Sequence, residues 1–352
     1  MTQDEVYKML LPLRKQERFY REYAQAAGQE SKRQLLNKLD ISTAAREHWV
    51  LPELCENIPR MEFADADFFD DSPRYHVRIA VHPRFEPVYP KAFDFFSILF
   101  VLQGTGKMGI LGRQLTLRSG DFCLIAPGIT HTLAVTDEDS LIFRIHLRKS
   151  TFQDLLSELL QSSNIISAFL FNTLYAGETT GYLLFHTADD AIMRQQILAM
   201  YAEQCCKDRY SNILINHSLI LVLIRLVREY GETAQTSPAI HDSDKRFELL
   251  YYLMNNFLEI TLSDVAEHYH FNTSYCSQYI KRITGKNFSE LIKIFRIRKA
   301  CELLDGSNMT IREISDLLGY ANPESFILAF KKEMHLTPTQ YRKGIKKPAE
   351  VP

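Results

Sequence analysis

Leu262-Ser-Asp-Val-Ala-Glu-His-Tyr-His-Phe-Asn272 and Ile311-Arg-Glu-Ile-Ser-Asp-Leu-Leu-Gly-Tyr-Ala-Asn322 are two versions of one pattern. Superposed, Leu262 falls on Ile311, Val265 on Ile314, Ala266 on Ser315 and Phe271 on Tyr320; one extra residue then brings Lys281 onto Lys331. Each copy reads as a short helix, a turn and an asparagine N-cap, followed by a second helix over Thr273–Thr284 or Pro323–Lys332. The small residue at 266 or 315 lets the two helices approach closely. In the first copy Cys276, Tyr279, Ile280 and Ile283 turn inward at helical spacing. In the second, Phe326, Ala329 and Phe330 do so, and Pro323 takes the first helical position, where its missing amide costs nothing. A duplicated pattern of this kind is harder to obtain by chance than a single copy.

The outward faces carry the chemistry. The first second-helix presents Ser274, Tyr275, Ser277, Gln278, Lys281 and Arg282, side chains suited to base edges and phosphates. On one isolated helix these would read as a solvated polar face; two copies favour double-stranded DNA as the partner. The second copy presents Glu324, Ile327, Leu328, Lys331 and Lys332. Two aliphatics stand where a polar reading pair is expected, which implies phosphate anchoring with weak base readout, or contact with thymine methyls. Phe288 to Leu304 forms a basic helix between the copies, roughly 25 Å long at 1.5 Å per residue. Residues 245–347 hold 16 Lys plus Arg against 11 Asp plus Glu, a balance of +5, whereas the rest of the chain stands at −7. The basic excess lies where backbone binding requires it.

Residues 245–345 resemble the DNA-binding domain of the AraC/XylS family of bacterial transcription regulators. The resemblance rests on Ala266 and Gly285, on Phe295-Arg-Ile-Arg-Lys-Ala300 with Leu303-Leu304, and on Ile314, Gly319-Tyr320, Phe326, Phe330-Lys331-Lys332, Thr337-Pro338 and Tyr341-Arg342. Two departures stand out: His335 replaces the usual glycine after the second reading helix, and Ile327-Leu328 replace the usual polar pair.

At 352 residues and 46% hydrophobic content the chain suits two or three globular units. Its polar, acidic start does not read as a secretion signal, and the apolar run Ile213 to Val227 reads as too short and polar to span a bilayer. These point to a cytoplasmic protein without a membrane partner. Cys55, Cys123, Cys205, Cys206, Cys276 and Cys301 show no C-x-x-C or secreted spacing and read as reduced thiols.

Residues 72–150 change character. Short β-type runs at 75–81, 95–102, 107–111, 114–117, 121–125, 132–135 and 141–147 are punctuated by Gly104-Thr-Gly106, Gly112, Ser119-Gly120 and Pro127-Gly128. Many short strands at close spacing predict a small barrel or sandwich. Gly104-x-Gly106, Leu117-Arg-Ser-Gly-Asp121 and Ala126-Pro-Gly-Ile-Thr-His131 resemble a cupin, the effector domain of many AraC-type regulators. The positions that hold metal in cupin enzymes fall near Lys91, Phe93 and Ser97, none a normal ligand, and His131 alone remains. The expectation is therefore no metal, no cofactor and no catalytic residue. Alternation places Phe93, Phe95, Ser97, Leu99 and Val101 on one face, an interior apolar at its centre. Phe93, Phe95, Ser97, Leu99 and His131 are the candidate effector-binding residues. For His131 a barrel-rim role without ligand stays open.

Helical periodicity returns at 152–160 and 191–201, and Asn212 to Tyr230, apolar round its circumference, must be buried on several sides. Part of it offers a dimer interface; core packing is the other reading. The expected fold is α+β and multidomain: an N-terminal extension (1–71), a cupin-like barrel (72–150), a helical subdomain (151–230), a linker (231–244) and an all-α double helix-turn-helix domain (245–347). The expected function is effector-controlled, sequence-specific transcription regulation, by a homodimer that meets RNA polymerase if it activates. Two rivals stand: a cupin-type metalloenzyme fused to a DNA-binding module, and a ligand-independent regulator whose barrel mediates protein contacts.

Overall fold

The computed structural model describes residues 2–47, 49–51, 53, 60–69, 77–148, 164–171, 173, 181–188, 190–236 and 244–342. They form two compact units: residues 1–169 with 179–241, and 170–178 with 242–352.

In the first unit the charged stretch at 13–33 divides into α2 (Lys15–Gln25) and α3 (Gly28–Asn37), after α1 (Gln3–Leu10). Ala26 and Ala27 are extended between them. Arg84 docks α2 onto the sheet domain. Its buried guanidinium donates to both Glu17 carboxylate oxygens, at 3.1 and 3.0 Å, and to the carbonyls of Leu11, Pro12 and Glu138. Burial raises the pKa of the Glu17 carboxyl, but hydrogen bonds from Arg14 and Arg84 outweigh it and lower the value to about 2. Helix α4 covers Ile41–Arg46.

The strands are β1 (Met61–Phe63), β2 (Val77–Val81), β3 (Lys91–Phe93), β4 (Phe96–Gln103), β5 (Thr105–Ile110), β6 (Arg113–Arg118), β7 (Asp121–Ile125), β8 (His131–Ala134), β9 (Leu141–Leu147), β10 (Tyr182–His186) and β11 (Gln235–Thr236). They pair as two sheets, β1-β3-β8-β5-β6 and β11-β10-β7-β4-β9-β2, and the described strands do not close into one ring. The expected barrel is thus a two-sheet structure. It also draws strands from beyond 72–150: β1 lies in the stretch read as an extension, β10 in the stretch read as helical, and β11 in the stretch read as a linker. Tyr182-Leu-Leu-Phe-His186 is a short apolar run, which periodicity cannot separate from a buried helical turn. Gly104 (φ 77°) is required by close approach: a Cβ there would meet the Ser140 Cα at 2.7 Å.

Helix α5 (Asp65–Phe68) precedes β2, and α6 spans Ile165–Phe171; the helix expected at 152–160 lies outside the described residues. Helices α7 (Ala191–Cys206) and α8 (Ser211–Tyr230) pack on each other and on β2. Asp190 caps α7 through the amides of Ile192 and Met193 and accepts from Arg225 Nε and the Tyr230 hydroxyl of α8, tying the two helices together. Helix α8 is not buried on several sides as expected. Ile215, Leu219, Val222 and Leu226 are buried, but Ile213, Leu214, Leu221 and Ile224 are exposed. By length and composition alone, Ser211–Thr233 is long and apolar enough to cross a membrane, contrary to the sequence reading. Its buried side packs within the first unit.

The second unit runs α9 (Asp244–Asn256), α10 (Leu262–His268), α11 (Thr273–Thr284), α12 (Phe288–Gly306), α13 (Ile311–Leu317), α14 (Pro323–Met334) and α15 (Pro338–Arg342). Its second half packs round Ile297, Ala300, Leu304, Ile314, Leu318, Phe326 and Phe330.

Candidate functional site

The two short-helix, turn, long-helix units repeat bond for bond. Thr261 and Asp264 form a reciprocal capping box at the start of α10, as Thr310 and Glu313 do at α13. Phe271 N–H donates to the Ala266 carbonyl at 2.7 Å, and Tyr320 N–H to the Ser315 carbonyl at 3.1 Å. Asn272 and Asn322 each accept an amide three residues on, from Tyr275 at 2.7 Å and Ser325 at 2.8 Å.

On α11, Cys276, Ile280 and Ile283 are buried, and Ser274, Tyr275, Gln278, Lys281 and Arg282 are exposed, with Ser277 half-buried. Tyr275 and Tyr279 stack, and the Arg282 guanidinium lies 5.0 Å from the Tyr279 ring centre, so the arginine is held along the exposed face. On α14, Phe326 and Phe330 are buried, Glu324, Lys331 and Lys332 are exposed, and Ile327 is half-buried. Leu328 is 70% exposed, an apolar side chain standing fully out on the face expected to meet DNA.

Inside the first unit the five candidate effector residues do not lie on one continuous strand. A bend at Asp94-Phe95 interrupts it, yet Phe93, Phe95, Ser97 and His131 still converge. Phe93, Phe95 and Ser97 meet at His146 of β9. The rings of Phe93 and Phe95 lie 4.9 and 5.2 Å from its imidazole, Ser97 Oγ lies 3.2 Å from its Nδ1, and Phe93 also lies 5.7 Å from His131. Leu99 is buried and pairs with Arg144 across β4 and β9. The expectation of an apolar interior is corrected. Lys91, Glu86, His82, His131 and His146 are all buried, and Lys91 Nζ lies 3.4 Å from Glu86. The sequence reading followed one strand, whereas these groups come from β3, β8, β9 and the loop after β2. Nor does His131 stand alone as an imidazole. Burial lowers the His131 pKa to about 4, helped by the positive charge of Lys91 and opposed by a 3.2 Å hydrogen bond to the Ile129 carbonyl. Burial likewise holds His82 and His146 well below the ordinary imidazole value, with Lys91 and Arg144 adding to it. Among the described residues, no three His, Cys, Asp or Glu side chains are placed to hold a metal.

Residues 265–344 match the helix-turn-helix domain family, and residues 78–202 match the AraC-like ligand binding domain family. The chain belongs to the AraC family of transcription regulators. It is 24% identical over 284 residues to the HTH-type transcriptional activator RhaS of Enterobacter sp. (strain 638), covering 79% of this chain and 95% of RhaS. It is 26% identical over 259 residues to the uncharacterized HTH-type transcriptional regulator YfiF of Bacillus subtilis, covering 71% of this chain and 77% of YfiF. With YtdP, another uncharacterized regulator of that organism, it is 27% identical over 177 residues, which is 50% of this chain but only 22% of YtdP.

In this AraC-family chain several motif residues turn out to hold the fold. Arg296 of α12, counted in the charge of that basic helix, donates to the carbonyls of Gly319 (3.3 Å) and Leu258 (3.0 Å), fastening the turn after α13 to the loop after α9. Arg342 donates to the carbonyls of Leu304 and Met309, Thr337 and Gln340 cap α15 reciprocally, and Tyr341 packs on Phe330. The Thr-Pro-x-x-Tyr-Arg ending is a clasp. The buried His82 and His146 and the half-buried Arg144 were missed. The signal was present, since Arg144 and His146 alternate with Phe143, Ile145 and Leu147 along β9.

Proposed function

We propose that the exposed faces of α11 and α14 read DNA: Ser274, Tyr275, Ser277, Gln278, Lys281 and Arg282 through base edges and phosphates, and Glu324, Ile327, Leu328, Lys331 and Lys332 chiefly through phosphate anchoring. The observation that carries this is the bond-for-bond repetition of the two units with their polar or basic sides left open. The sheet domain is the seat of a small-molecule effector, with Phe93, Phe95, Ser97, Leu99 and His131 around it. The effector acts by shifting the balance between DNA-competent and DNA-incompetent states. Support comes from the convergence of Phe93, Phe95 and Ser97 on the buried His146, with His131 lying against Phe93.

The regulator works in the cytoplasm as a homodimer, without catalysis or cofactor, and contacts RNA polymerase if it activates. The exposed row Ile213, Leu214, Leu221 and Ile224 on α8 supports self-association through that helix. Binding selection on randomised duplexes with the full chain, repeated after a thermal-shift screen of metabolites, tests the reading. No enriched sequence sinks the DNA assignment; a metabolite that stabilises the protein without changing DNA affinity sinks effector control. Elemental analysis of untagged protein separates it from the metalloenzyme rival, which requires a stoichiometric metal. Sedimentation of the Leu221→Glu variant, expected to be monomeric, tests the dimer.

A further inference from the structure

One flank of α11 carries a row of side chains that its duplicate lacks. Phe271 is followed by Tyr275, Tyr279 and Arg282, the last three at spacings of four and three residues that bring them to one side of the helix. Tyr275 and Tyr279 stack with ring centres 6.0 Å apart, and Phe271 meets them edge-on at 4.9 and 5.9 Å. The Arg282 guanidinium sits 5.0 Å from the Tyr279 ring centre. The core side of α11 is filled by Cys276, Ile280 and Ile283, all buried. Tyr279, whose spacing placed it inward, is only half-buried, and Tyr275 is 45% exposed. Helices α11 and α14 are both 12 residues long, each following its asparagine cap, so Tyr275, Tyr279 and Arg282 correspond to Ser325, Ala329 and Lys332. The second copy makes the same turn and the same cap without any of the three. The helix-turn-helix fold therefore does not require the row.

We infer that Tyr279 is a positioning residue, which with Tyr275 and Phe271 behind it holds Arg282 ready for a phosphate of the DNA backbone. The inference rests on the reading of α11 as a DNA-binding helix and adds a residue not counted among its contacts. A guanidinium seated by its face on a ring keeps its N–H edge for a second partner, and that edge matches two phosphate oxygens. A free arginine gives up rotamer freedom when it binds, whereas a seated one has given it up beforehand and loses less on meeting DNA. Position favours phosphate over a base edge. In helix-turn-helix docking the N-terminal residues of the second helix reach the bases, and Arg282 lies in the last turn of α11. On α14 the matching cation is Lys332, a point charge on a flexible stem, and Ala329 stands where Arg282 has its ring.

The test uses the full chain and duplexes obtained by binding selection, with affinity measured across a range of salt for Tyr279→Phe, Tyr279→Leu, Arg282→Gln, the Leu and Gln double variant, and Gln278→Ala. Arg282→Gln should weaken binding and make the slope of log affinity against log salt shallower by about 0.9. Tyr279→Leu should weaken binding about two- to fivefold on every sequence when Arg282 is present, and add nothing when Arg282→Gln is already made. Tyr279→Phe keeps the ring and should bind like the parent. In the unmutated chain without DNA, NMR relaxation of the Arg282 Nε–H should show it ordered; a freely moving one overturns the proposal without recourse to any variant. A Tyr279→Leu loss that persists beside Arg282→Gln assigns the ring to the fold or to a contact of its own and overturns the proposal. So does a loss in Tyr279→Phe, no loss in Tyr279→Leu, or a loss confined to particular sequences. If Arg282→Gln changes neither affinity nor slope while Gln278→Ala weakens binding, the proposal is wrong and the reading of α11 stands. If none of the variants changes affinity, α11 is not the DNA-binding helix and both fall.

Discussion

His270 and Gly319 occupy the same place in the two helix-turn-helix units, and both are left-handed, with φ of 55° and 72°. After the second helices the assignment is reversed: Gly285 (φ 68°) closes α11 and His335 (φ 57°) closes α14, each amide donating to the carbonyl four residues back at 2.9 Å. Each copy therefore spends one glycine and one histidine on its two left-handed positions. A side chain in that region costs about 1–2 kcal/mol, and histidine tolerates it better than most residues. His270→Gly and His335→Gly should each stabilise the second unit by roughly 0.5–1 kcal/mol, part of the gain being offset by glycine's freer unfolded state. Gly319→Ile should cost more than about 1 kcal/mol. Denaturant unfolding of the full chain, followed by a probe in the second unit, checks these values. A loss of stability in His270→Gly would show that the imidazole makes compensating contacts.

Gln278 stands exposed on α11, between Ser274 and Lys281. Its amide is suited to adenine, offering one donor and one acceptor to the N7 and N6 edge. Gln278→Ala should cost roughly 1–3 kcal/mol of binding and relax preference at one base pair. Parallel binding selection with parent and variant reads this directly. A uniform loss over all sequences makes Gln278 a backbone contact instead.

The second unit should read more loosely. Leu328 is 70% exposed and Ile327 half-buried, so the face of α14 proposed to read DNA offers methyl groups where α11 offers an amide and hydroxyls. The half-site beneath α14 should carry less sequence information, with any preference toward thymine. Substituting every base across a bound site measures it; equal information under both units contradicts the assignment of that face.

Stability should fall between about pH 6.5 and pH 4. His131 is lowered to about 4 in the folded protein, and His82 and His146 also lie below the ordinary value of 6.5, all chiefly by burial. Below pH 6.5 the unfolded chain takes up protons that the folded chain refuses, so each histidine removes up to about 1.4 kcal/mol per pH unit across that window. Glu17 acts separately. Its carboxyl is lowered to about 2, so its contribution, on the order of 3 kcal/mol, is complete above about pH 4.5 and disappears as pH falls toward 2. Urea unfolding from pH 8 to pH 4 should show the first decline, and His146→Asn should flatten it. A flat profile over that range would mean that water reaches these rings.

Breaking the Arg84 and Glu17 pair should be severe. Both side chains are almost wholly buried, and Arg84 anchors carbonyls of the α1 to α2 connection and of the loop before β9. Glu17→Gln should cost about 3–5 kcal/mol, because Arg84 is left charged and under-compensated away from water. A change below about 1 kcal/mol, measured by thermal unfolding, would show that α2 undocks cheaply.

The double helix-turn-helix was legible in residues 262–342 because its determinants are local. Caps lie within three residues of the amides they serve, and the inward apolar spacing is helical. The short strands from 77 to 147 were legible for the same reason, each run being bounded by its own turn. What the tertiary structure alone decided depends on residues far apart in the chain. Tyr182–His186 is a strand because β7 lies beside it, and Arg296 and Arg342 are clasps because carbonyls of Leu258, Leu304 and Met309 come within reach. The buried polar groups His131 and His146 come together round Phe93 only once β3, β8 and β9 face one another. Alternation along a single strand tells which side chains share a face, but not what the opposite sheet sets against them. Arg144 and His146 look like ordinary alternating polar residues in sequence, and only packing buries the His146 ring against Phe93 and leaves Arg144 half-buried beside it.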